Sequence, residues 1–189
     1  MIKSNKKLKI SEELVRIHAH LCGDGGVYRY KTSEKDRINR ASIMYFNNNL
    51  DLINSFREDM NRLFNVKMTF YRKRNTLRVL SIRIADLLTT LNEYGTRKWR
   101  IPKIIKNASR KYKLEWIRAF CYDEGYLPPD RNGIRIKSMN LNGLSDIKEM
   151  LDSLKIYSRL NGPNCDNSYY LNIKKMLELK DFSKKKSRK

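Results

Sequence analysis

Acidic residues are scarce in this sequence. Its 189 residues include 20 Asp and Glu against 41 Lys and Arg, so the formal net charge is +21. Positive charges in such excess repel one another and favour a polyanionic partner, of which nucleic acid is the commonest. The composition therefore argues against a merely soluble basic protein, whereas a ribosomal or other RNA-binding protein would show the same excess.

Cysteine is also scarce, and the sequence contains no long apolar run. Cys22, Cys121 and Cys165 lie far apart without CxxC spacing, which is not the pattern of a zinc site or a disulfide framework. No apolar run approaches the roughly 20 residues that span a bilayer, and residues 1–7 lack the apolar segment of a signal peptide. We therefore expect an intracellular protein, cytoplasmic or organellar, that does not bind membranes.

The sequence contains an internal repeat. Its length suits one compact domain or two small fused ones. Residues 11–27, SEELVRIHAHLCGDGGV, match residues 111–127, KYKLEWIRAFCYDEGYL. The matched pairs are Leu14 with Leu114, Ile17 with Ile117, Ala19 with Ala119, Asp24 with Glu124, and Gly25 with Gly125. The chain is therefore expected to contain two similar halves.

Both matched segments have the pattern of a helix that ends at an acid–glycine pair. Apolar residues recur at helical spacing in each segment. Ser11 is a suitable N-cap, and Glu12 and Glu13 follow it in the first turn. Gly25 supplies the backbone freedom that a helix exit often needs.

Small residues near the end of each helix predict how the two helices meet. Ala19 and Ala119 occupy equivalent positions, and small side chains let two helix backbones approach closely. If the helices pack side by side, Asp24 and Glu124 emerge together at one end. Mg²⁺ prefers hard oxygen ligands such as carboxylates. Either acid alone fits an ordinary helix-terminal turn better, but the matched pair favours a shared metal site.

The remainder of each half is expected to be strand-rich, in the order αββαββα. In the first half we predict strands at 27–32, 38–46, 66–72 and 77–84, and helices at 50–63 and 85–95. In the second half we predict strands at 134–139, 156–160 and 168–173, and helices at 143–154 and 174–180. The expected division is an N-terminal half at 11–98, a linker at 99–112, a C-terminal half at 113–181 and a basic tail at 182–189.

The segments HAHLCGDGGV and RAFCYDEGYL, with KWRIPKII ahead of the second, resemble the signature helices of the LAGLIDADG homing endonucleases. The resemblance covers residues 11–180 and is to the single-chain, two-motif type. It implies an α+β fold with two pseudo-symmetric halves, in which two antiparallel sheets form a saddle and the signature helices pack centrally. It also implies a monomer that cuts both strands of a long double-stranded DNA site with Mg²⁺. Mn²⁺ or Ca²⁺ would substitute in binding.

The resemblance assigns roles to residues at the helix ends. Asp24 and Glu124 would bind metal ions at the scissile phosphates, where the metals activate a water and stabilise the leaving oxygen. The main-chain carbonyls of Gly23 and Asp123 would also face the metals. The Asp123 side chain is either solvated or a substitute ligand. Lys137 completes the expected catalytic set.

Basic and aromatic residues on the expected strands form the expected DNA-contacting surface. In segment 134–138 apolar residues alternate with Arg135 and Lys137, which predicts one core face and one basic face. Such residues contact phosphates and base edges in a major groove. The expected set is Tyr28, Arg29, Tyr30, Lys31, Arg37, Arg40, Tyr71, Arg72, Lys73, Arg74, Arg78, Arg135 and Lys137.

One departure from the family concerns the residue that organises the catalytic waters. A basic residue or glutamine often follows the strand after each signature helix in that family. The corresponding stretches here are Asn-Asn-Asn at 47–49 and Ser-Met-Asn at 138–140, and neither contains lysine, although Lys137 is adjacent. The alternative function is therefore a non-catalytic relative, an intron RNA maturase or a DNA-binding regulator. The acid pair favours cleavage, because a pure binder does not need carboxylates close to phosphates.

Overall fold

Both halves of the chain contain a helix, two strands, a second helix and two more strands, in that order. The computed structural model describes residues 8–31, 39–128 and 133–174. The first half contains α1 (Glu12–Cys22), β1 (Gly25–Lys31), β2 (Asn39–Phe46), α2 (Leu50–Phe64), β3 (Thr69–Tyr71), β4 (Thr76–Leu80) and α3 (Ile82–Thr89). After the short α4 (Lys103–Lys106), the second half contains α5 (Arg110–Glu124), β5 (Gly125–Tyr126), β6 (Gly133–Ser138), α6 (Leu141–Ser153), β7 (Ser158–Asn161) and β8 (Tyr169–Lys174).

Each half forms one four-stranded antiparallel sheet. The strand order is β1-β2-β4-β3 in the first sheet and β5-β6-β8-β7 in the second, so the two orders are the same. The register also matches, because Gly25 pairs with Tyr45 and Gly125 pairs with Ile136. The predicted α+β fold with two similar halves is therefore confirmed.

The two signature helices, α1 and α5, pack against each other between the halves. Ala19 and Ala119 are 0% and 3% exposed, as close packing of the helices requires. Helix α1 divides its apolar residues between two cores. Ile17 and Leu21 belong to the core of the first half, whereas Val15 and Ala19 belong to the core of the second half. The helix pair therefore joins the two halves.

Helix α1 begins as predicted but ends sooner. The Ser11 side chain accepts a hydrogen bond of 3.2 Å from a backbone N–H of the first turn. The helix ends at Cys22 with Gly23 as its C-cap, so the expectation that Gly25 forms the exit is wrong. Gly25 instead begins β1, where an added Cβ would lie 2.9 Å from the Met44 carbonyl oxygen. Its small size permits this close passage of the strands. In α5 the acid–glycine pair does end the helix.

Three elements in the first half differ from their predicted bounds. The strand predicted at 77–84 ends at Leu80, and the helix predicted at 85–95 is α3, Ile82–Thr89. The cause is Ser81, whose side chain accepts a hydrogen bond of 3.2 Å from the Ile84 N–H and so caps the helix early. The strand predicted at 66–72 is shorter at both ends, Thr69–Tyr71, and a 3₁₀ turn at Arg72–Arg74 ends it.

The second half contains one element that the sequence did not predict, α4, which has four residues within the expected linker at 99–112. The two-residue strand β5 takes the place of the first strand in the predicted order αββαββα, for which no bounds were predicted. Both are too short for a periodic pattern. Of the helix predicted at 174–180, Lys174 belongs to β8; the other residues, the tail at 182–189 and Arg37 lie outside the described residues. No helix in the described part of the chain is long and apolar enough to span a membrane.

Candidate metal centre and nucleic-acid interface

The ends of the two signature helices meet at Gly23 and Asp123. A Cβ added to Gly23 would lie 2.9 Å from the Asp123 Cβ, so the close approach leaves no room for a side chain at position 23. Asp24 and Glu124 each follow directly in the chain. The structure therefore places both predicted acids at the same end of the helix pair.

Asp24 is held by a residue that follows β2. The Asn47 side-chain amide donates to the Asp24 Oδ2 at 2.8 Å. The main-chain carbonyl of Asp24 accepts from the Phe46 N–H at 2.9 Å. The Asn47 Oδ1 accepts from the Asn49 N–H at 2.9 Å, which turns the amide NH₂ toward the acid. The position of the Asp24 carboxylate is therefore fixed by the end of the neighbouring strand.

The Asp123 side chain is buried and bonded within the protein. It is 0% exposed, and its Oδ2 lies 2.8 Å from the His20 Nδ1. Its Oδ1 accepts from the Tyr45 hydroxyl at 2.7 Å and from the Asn47 amide at 3.3 Å. Burial and the charge of Asp123 raise the pKa of Tyr45 far above its usual range, so the hydroxyl stays a donor. The solvated side chain considered from the sequence is therefore wrong.

Glu124 borders a cavity of about 410 Å³ between the halves. Gly23, Lys137 and Asp166 line the same cavity, so it joins three of the predicted catalytic and metal-binding residues, Gly23, Glu124 and Lys137. The Lys137 Nζ lies 2.5 Å from the Asp166 Oδ2. This hydrogen bond raises the pKa of Lys137, which keeps the ammonium charged. Asp166 was not found from the sequence, because it is a lone acid in a loop without a pattern.

The residues at this end of the helix pair suit a hard divalent cation. The available donors are the carboxylates of Asp24 and Glu124 and the main-chain oxygens beside them. Among the described residues no cluster of three or more His, Cys, Asp and Glu side chains is placed to hold a metal. Mg²⁺ typically takes one or two protein carboxylates and completes its shell with water and phosphate oxygens. The donor set therefore fits Mg²⁺ or a similar ion that also binds a phosphate.

The first sheet presents a basic and aromatic face away from its core. Strand alternation and register place Tyr28 and Tyr30 on one face with Arg40 and Arg78. The Arg78 guanidinium donates to the Tyr30 hydroxyl at 2.7 Å. Beyond these strands, Tyr71, Arg72, Lys73 and Arg74 are exposed around the turn from β3 to β4.

Arg29 and Lys31 lie on the other face of the same sheet. By alternation their side chains share the face of Ala41, which is buried under the helices. The Arg29 guanidinium donates to the Asp86 carboxylate of α3 at 2.7 Å. The structure therefore separates Arg29 from the aromatic residues that precede and follow it.

The second sheet presents an equivalent face, and much of it was missed from the sequence. Arg135 and Lys137 project from the face opposite Ile134 and Ile136, which are 4% and 0% exposed, so the predicted alternation is confirmed. The Arg135 and Lys137 cations lie over the Tyr170 ring, 5.1 and 5.7 Å from its centroid. Residues of this face line a concavity of about 830 Å³. The residues missed there are Arg159, Asn161, Tyr170, Asn172 and Lys174, of which the last three alternate with Leu171 and Ile173.

The fold defined by the two sheets and the central helix pair is that of the LAGLIDADG homing endonucleases. A structure from a study of mesophilic variants of the homing endonuclease I-DmoI is 22% identical, covers 92% of this chain and 86% of that one, and has a TM-score of 0.65. A structure of I-DmoI in complex with DNA and Mn is 20% identical over 93% and 94% of the two chains, with a TM-score of 0.65.

The same fold occurs outside the proteins named as endonucleases. The N-terminal LAGLIDADG domain of DUF199/WhiA is 12% identical, covers 96% of this chain and 86% of that one, and has a TM-score of 0.51. No protein-family model matches the sequence, and the search of curated proteins gave no match. The structural likeness therefore establishes the fold, and function has to be argued from the site.

Proposed function

We propose that the protein is a site-specific endonuclease that cuts both strands of a long DNA target with divalent metal ions. The observation that carries the proposal is the matched pair of acids, Asp24 and Glu124, brought to one end of the packed signature helices. An acid there repels phosphate unless a cation lies between them. Structures of I-DmoI with target DNA in the presence of Mn, Mg or Ca support the same choice of partner and ion.

Asp24 and Glu124 are the proposed metal ligands, joined by the main-chain carbonyls of Gly23 and Asp123. When bound, the metal supplies a polarised water and charge stabilisation at the leaving oxygen. Asn47 orients the Asp24 carboxylate through its 2.8 Å hydrogen bond. Lys137 borders the cavity of Glu124 as a charged ammonium and is proposed to orient water or phosphate there.

The basic faces of the two sheets are the proposed DNA-contacting surface. From the predicted set it includes Tyr28, Tyr30, Arg40, Tyr71, Arg72, Lys73, Arg74, Arg78, Arg135 and Lys137. We add Arg159, Asn161, Tyr170, Asn172 and Lys174 from the concavity on the second sheet. Arg29 and Lys31 are left out because they lie on the other face, where Arg29 pairs with Asp86. Arg37 lies outside the described residues.

The protein is also proposed to act as a monomer. One chain already contains both signature helices, and these pack against each other. No second copy is needed to bring two acids together. Sedimentation should therefore show a single chain, free and on DNA, whereas an obligate dimer would contradict this proposal.

A second candidate is a non-catalytic nucleic-acid binder, acting on DNA as a regulator or on intron RNA as a maturase. Two observations favour it. The stretches at the ends of β2 and β6, residues 47–49 and 138–140, contain no lysine, and the fold also occurs in the WhiA domain. The basic faces serve both functions equally.

One experiment separates the two candidates. The protein is incubated with a randomised double-stranded DNA library in Mg²⁺, in Mn²⁺ and in EDTA, and bound and cleaved molecules are sequenced. The endonuclease predicts one enriched site with metal-dependent breaks in both strands. Enrichment of a site without breaks in either metal would favour the binder, and recovery of RNA alone in a parallel RNA library would favour the maturase.

A further inference from the structure

The surroundings of Asp24 and Glu124 differ although the backbone repeats. Because Gly25 pairs with Tyr45 and Gly125 with Ile136, positions in β2 correspond to positions in β6 at the same distance from these pairs. Tyr45 then corresponds to Ile136 and Asn47 to Ser138. In the signature helices, His20 corresponds to Phe120 and Asp123 to Gly23. Three of these four polar side chains are thus replaced by two apolar ones and a glycine, and the fourth, Asn47, is replaced by a serine.

The polar set forms one connected network around Asp24. The buried Asp123 carboxylate, which comes from the second half, accepts from Tyr45 at 2.7 Å and lies 2.8 Å from the His20 Nδ1. The Asn47 NH₂ lies 3.2 Å from the Tyr45 hydroxyl and 2.8 Å from the Asp24 Oδ2. An unbroken chain of hydrogen bonds therefore runs from Asp123 to Asp24.

The corresponding set in the second half is mostly hydrophobic. Ile136 is 0% exposed within the core. The Phe120 ring stacks on the Trp116 ring, with centroids 5.1 Å apart and planes 11° from parallel. Ser138 accepts from the Asn140 N–H at 3.1 Å, the counterpart of the bond from the Asn49 N–H to Asn47. Gly23 has no side chain with which to repeat the contacts of Asp123.

We propose that Asp123 and Tyr45 are positioning residues for Asp24, acting through Asn47, and that the two acids are consequently unequal in metal binding and in strand cleavage. The inference rests on the proposed function, because it takes Asp24 and Glu124 as metal ligands. Through Asp123, the second signature helix would thus help to position the Asp24 carboxylate, which follows the first signature helix.

Metal binding alone tests the inference without any cleavage. Mn²⁺ is titrated into the free protein by calorimetry in two backgrounds, Glu124→Gln, which leaves Asp24, and Asp24→Asn, which leaves Glu124. Tyr45→Phe keeps every charge and the ring that stacks on Phe56 at 4.6 Å, and removes only the hydroxyl. We expect it to weaken Mn²⁺ binding at least fivefold in the first background and less than twofold in the second.

The matched control is Tyr94→Phe. It removes the hydroxyl of a partly buried tyrosine, which donates to the Leu88 carbonyl at 3.3 Å and lies outside the network. This variant should leave Mn²⁺ binding within twofold in both backgrounds. Asp123→Asn, which keeps the shape of the side chain, provides a second variant if Tyr45→Phe does not fold. Equal weakening in the two backgrounds, or none in the first, would overturn the inference.

Strand-specific cleavage gives the second readout. On a cognate duplex labelled on each strand, Tyr45→Phe and Asn47→Ala should slow the same strand at least tenfold relative to the other. Since both act through one chain of bonds, the double variant should be no slower than Asn47→Ala. Equal slowing of both strands would contradict the inference. A wild-type protein that cuts neither strand, yet shows the expected difference in Mn²⁺ binding, would refute the proposed function and leave the positioning network supported.

Discussion

His18 of α1, which contacts Trp116 of α5, makes the stability of the protein depend on pH. It is 0% exposed. Its Nδ1 accepts from the Trp116 Nε1 at 2.9 Å, and its Nε2 lies 2.6 Å from the Asn92 Oδ1. The neutral ring satisfies both contacts when the proton is on Nε2. Burial lowers the pKa of His18 to about 4, and the bond to Asn92 opposes this only partly.

The free energy of unfolding should therefore fall in mild acid. The unfolded chain binds a proton at His18 below its ordinary pKa of 6.5, whereas the folded chain stays neutral down to about 4. Stability from this residue is complete above pH 6.5, is lost between pH 6.5 and 4, and is level below that. Between pH 7 and pH 4.5 the loss is roughly 2–3 kcal/mol. Urea unfolding at pH 7 and pH 4.5 measures it.

The comparison variant for this prediction is His18→Gln. It removes the titrating ring, so the variant starts less stable at pH 7 but should lose less stability on going to pH 4.5. If the free energy of unfolding depends on pH in the same way in the wild type and in the variant, the assignment to His18 is wrong.

The predicted acids could be found from the sequence because the motif of a helix followed by an acid and a glycine occurs twice. Asp24 and Glu124 stand in matching segments. The residues that hold Asp123 could not be found in this way. His20 and Tyr45 lie 103 and 78 positions from it. A local pattern carries no information about such pairs, which only the packing of the two halves brings together.

At the scale of the elements, Gly143 in α6 decides how the helix meets the core. A Cβ added there would lie 2.4 Å from two atoms of the Trp99 ring. Trp99 is 2% exposed, and its carbonyl accepts from the Asn140 side chain at 2.7 Å. The indole is therefore fixed close to the helix backbone and has little room to withdraw.

Gly143→Ala should destabilise the protein although it improves helix propensity. The propensity gain is about 1 kcal/mol. Overpacking of a tight core costs about 1–3 kcal/mol, and the 2.4 Å approach places this site at the upper end. We expect a lower melting temperature for Gly143→Ala and little change for Ser145→Ala on the exposed side of the same helix. A melting temperature above that of the wild type would show that the indole moves freely.

Successive side chains of a strand point to opposite faces of the sheet, so each residue of a basic segment has to be assigned to a face separately. This alternation separated Arg135 and Lys137 from Ile134 and Ile136 correctly. In β1 the polar run from Tyr28 onward hides the alternation, because nothing apolar marks the core side. Arg29 therefore looked like part of the DNA-contacting surface until its bond to Asp86 placed it beside α3.

At the scale of the whole molecule, the net charge of +21 and the two basic sheet faces predict strongly salt-dependent DNA binding. Each neutralised phosphate releases counterions, so log K falls with log salt by about 0.9 per contact. Arg135→Ala should reduce the slope by about 0.9 and weaken binding. Arg29→Ala, with the same loss of charge, should leave the slope nearly unchanged.

Filter binding across a range of salt concentrations measures both slopes. Equal effects of the two substitutions would show that net charge, and not the basic faces, determines binding. Binding that does not depend on salt would exclude nucleic acid as the partner. Agreement between sequence and structure at this scale came from the repeat, since two copies of one motif require two similar halves and a common seam.

Asp24 and Glu124 are proposed to bind the metal ions with which the protein cuts DNA. Asp24→Asn and Glu124→Gln each remove one anionic oxygen donor while keeping nearly the same shape. Binding is proposed to rely on the sheet faces, so it should persist or tighten as repulsion from phosphate falls. Glu13→Gln, in the first turn of α1, serves as the control with the same change of charge at the far end of the helix.

The deciding measurement is Mg²⁺-dependent cleavage of one cognate duplex, with a gel shift on the same DNA. Each single variant at Asp24 and Glu124 is predicted to bind like the wild type and to lose double-strand cleavage, while Glu13→Gln cuts normally. Wild-type rates in both variants would contradict the metal-ligand assignment. A wild type that binds the duplex tightly but never cuts it in Mg²⁺ or Mn²⁺ would contradict the endonuclease itself.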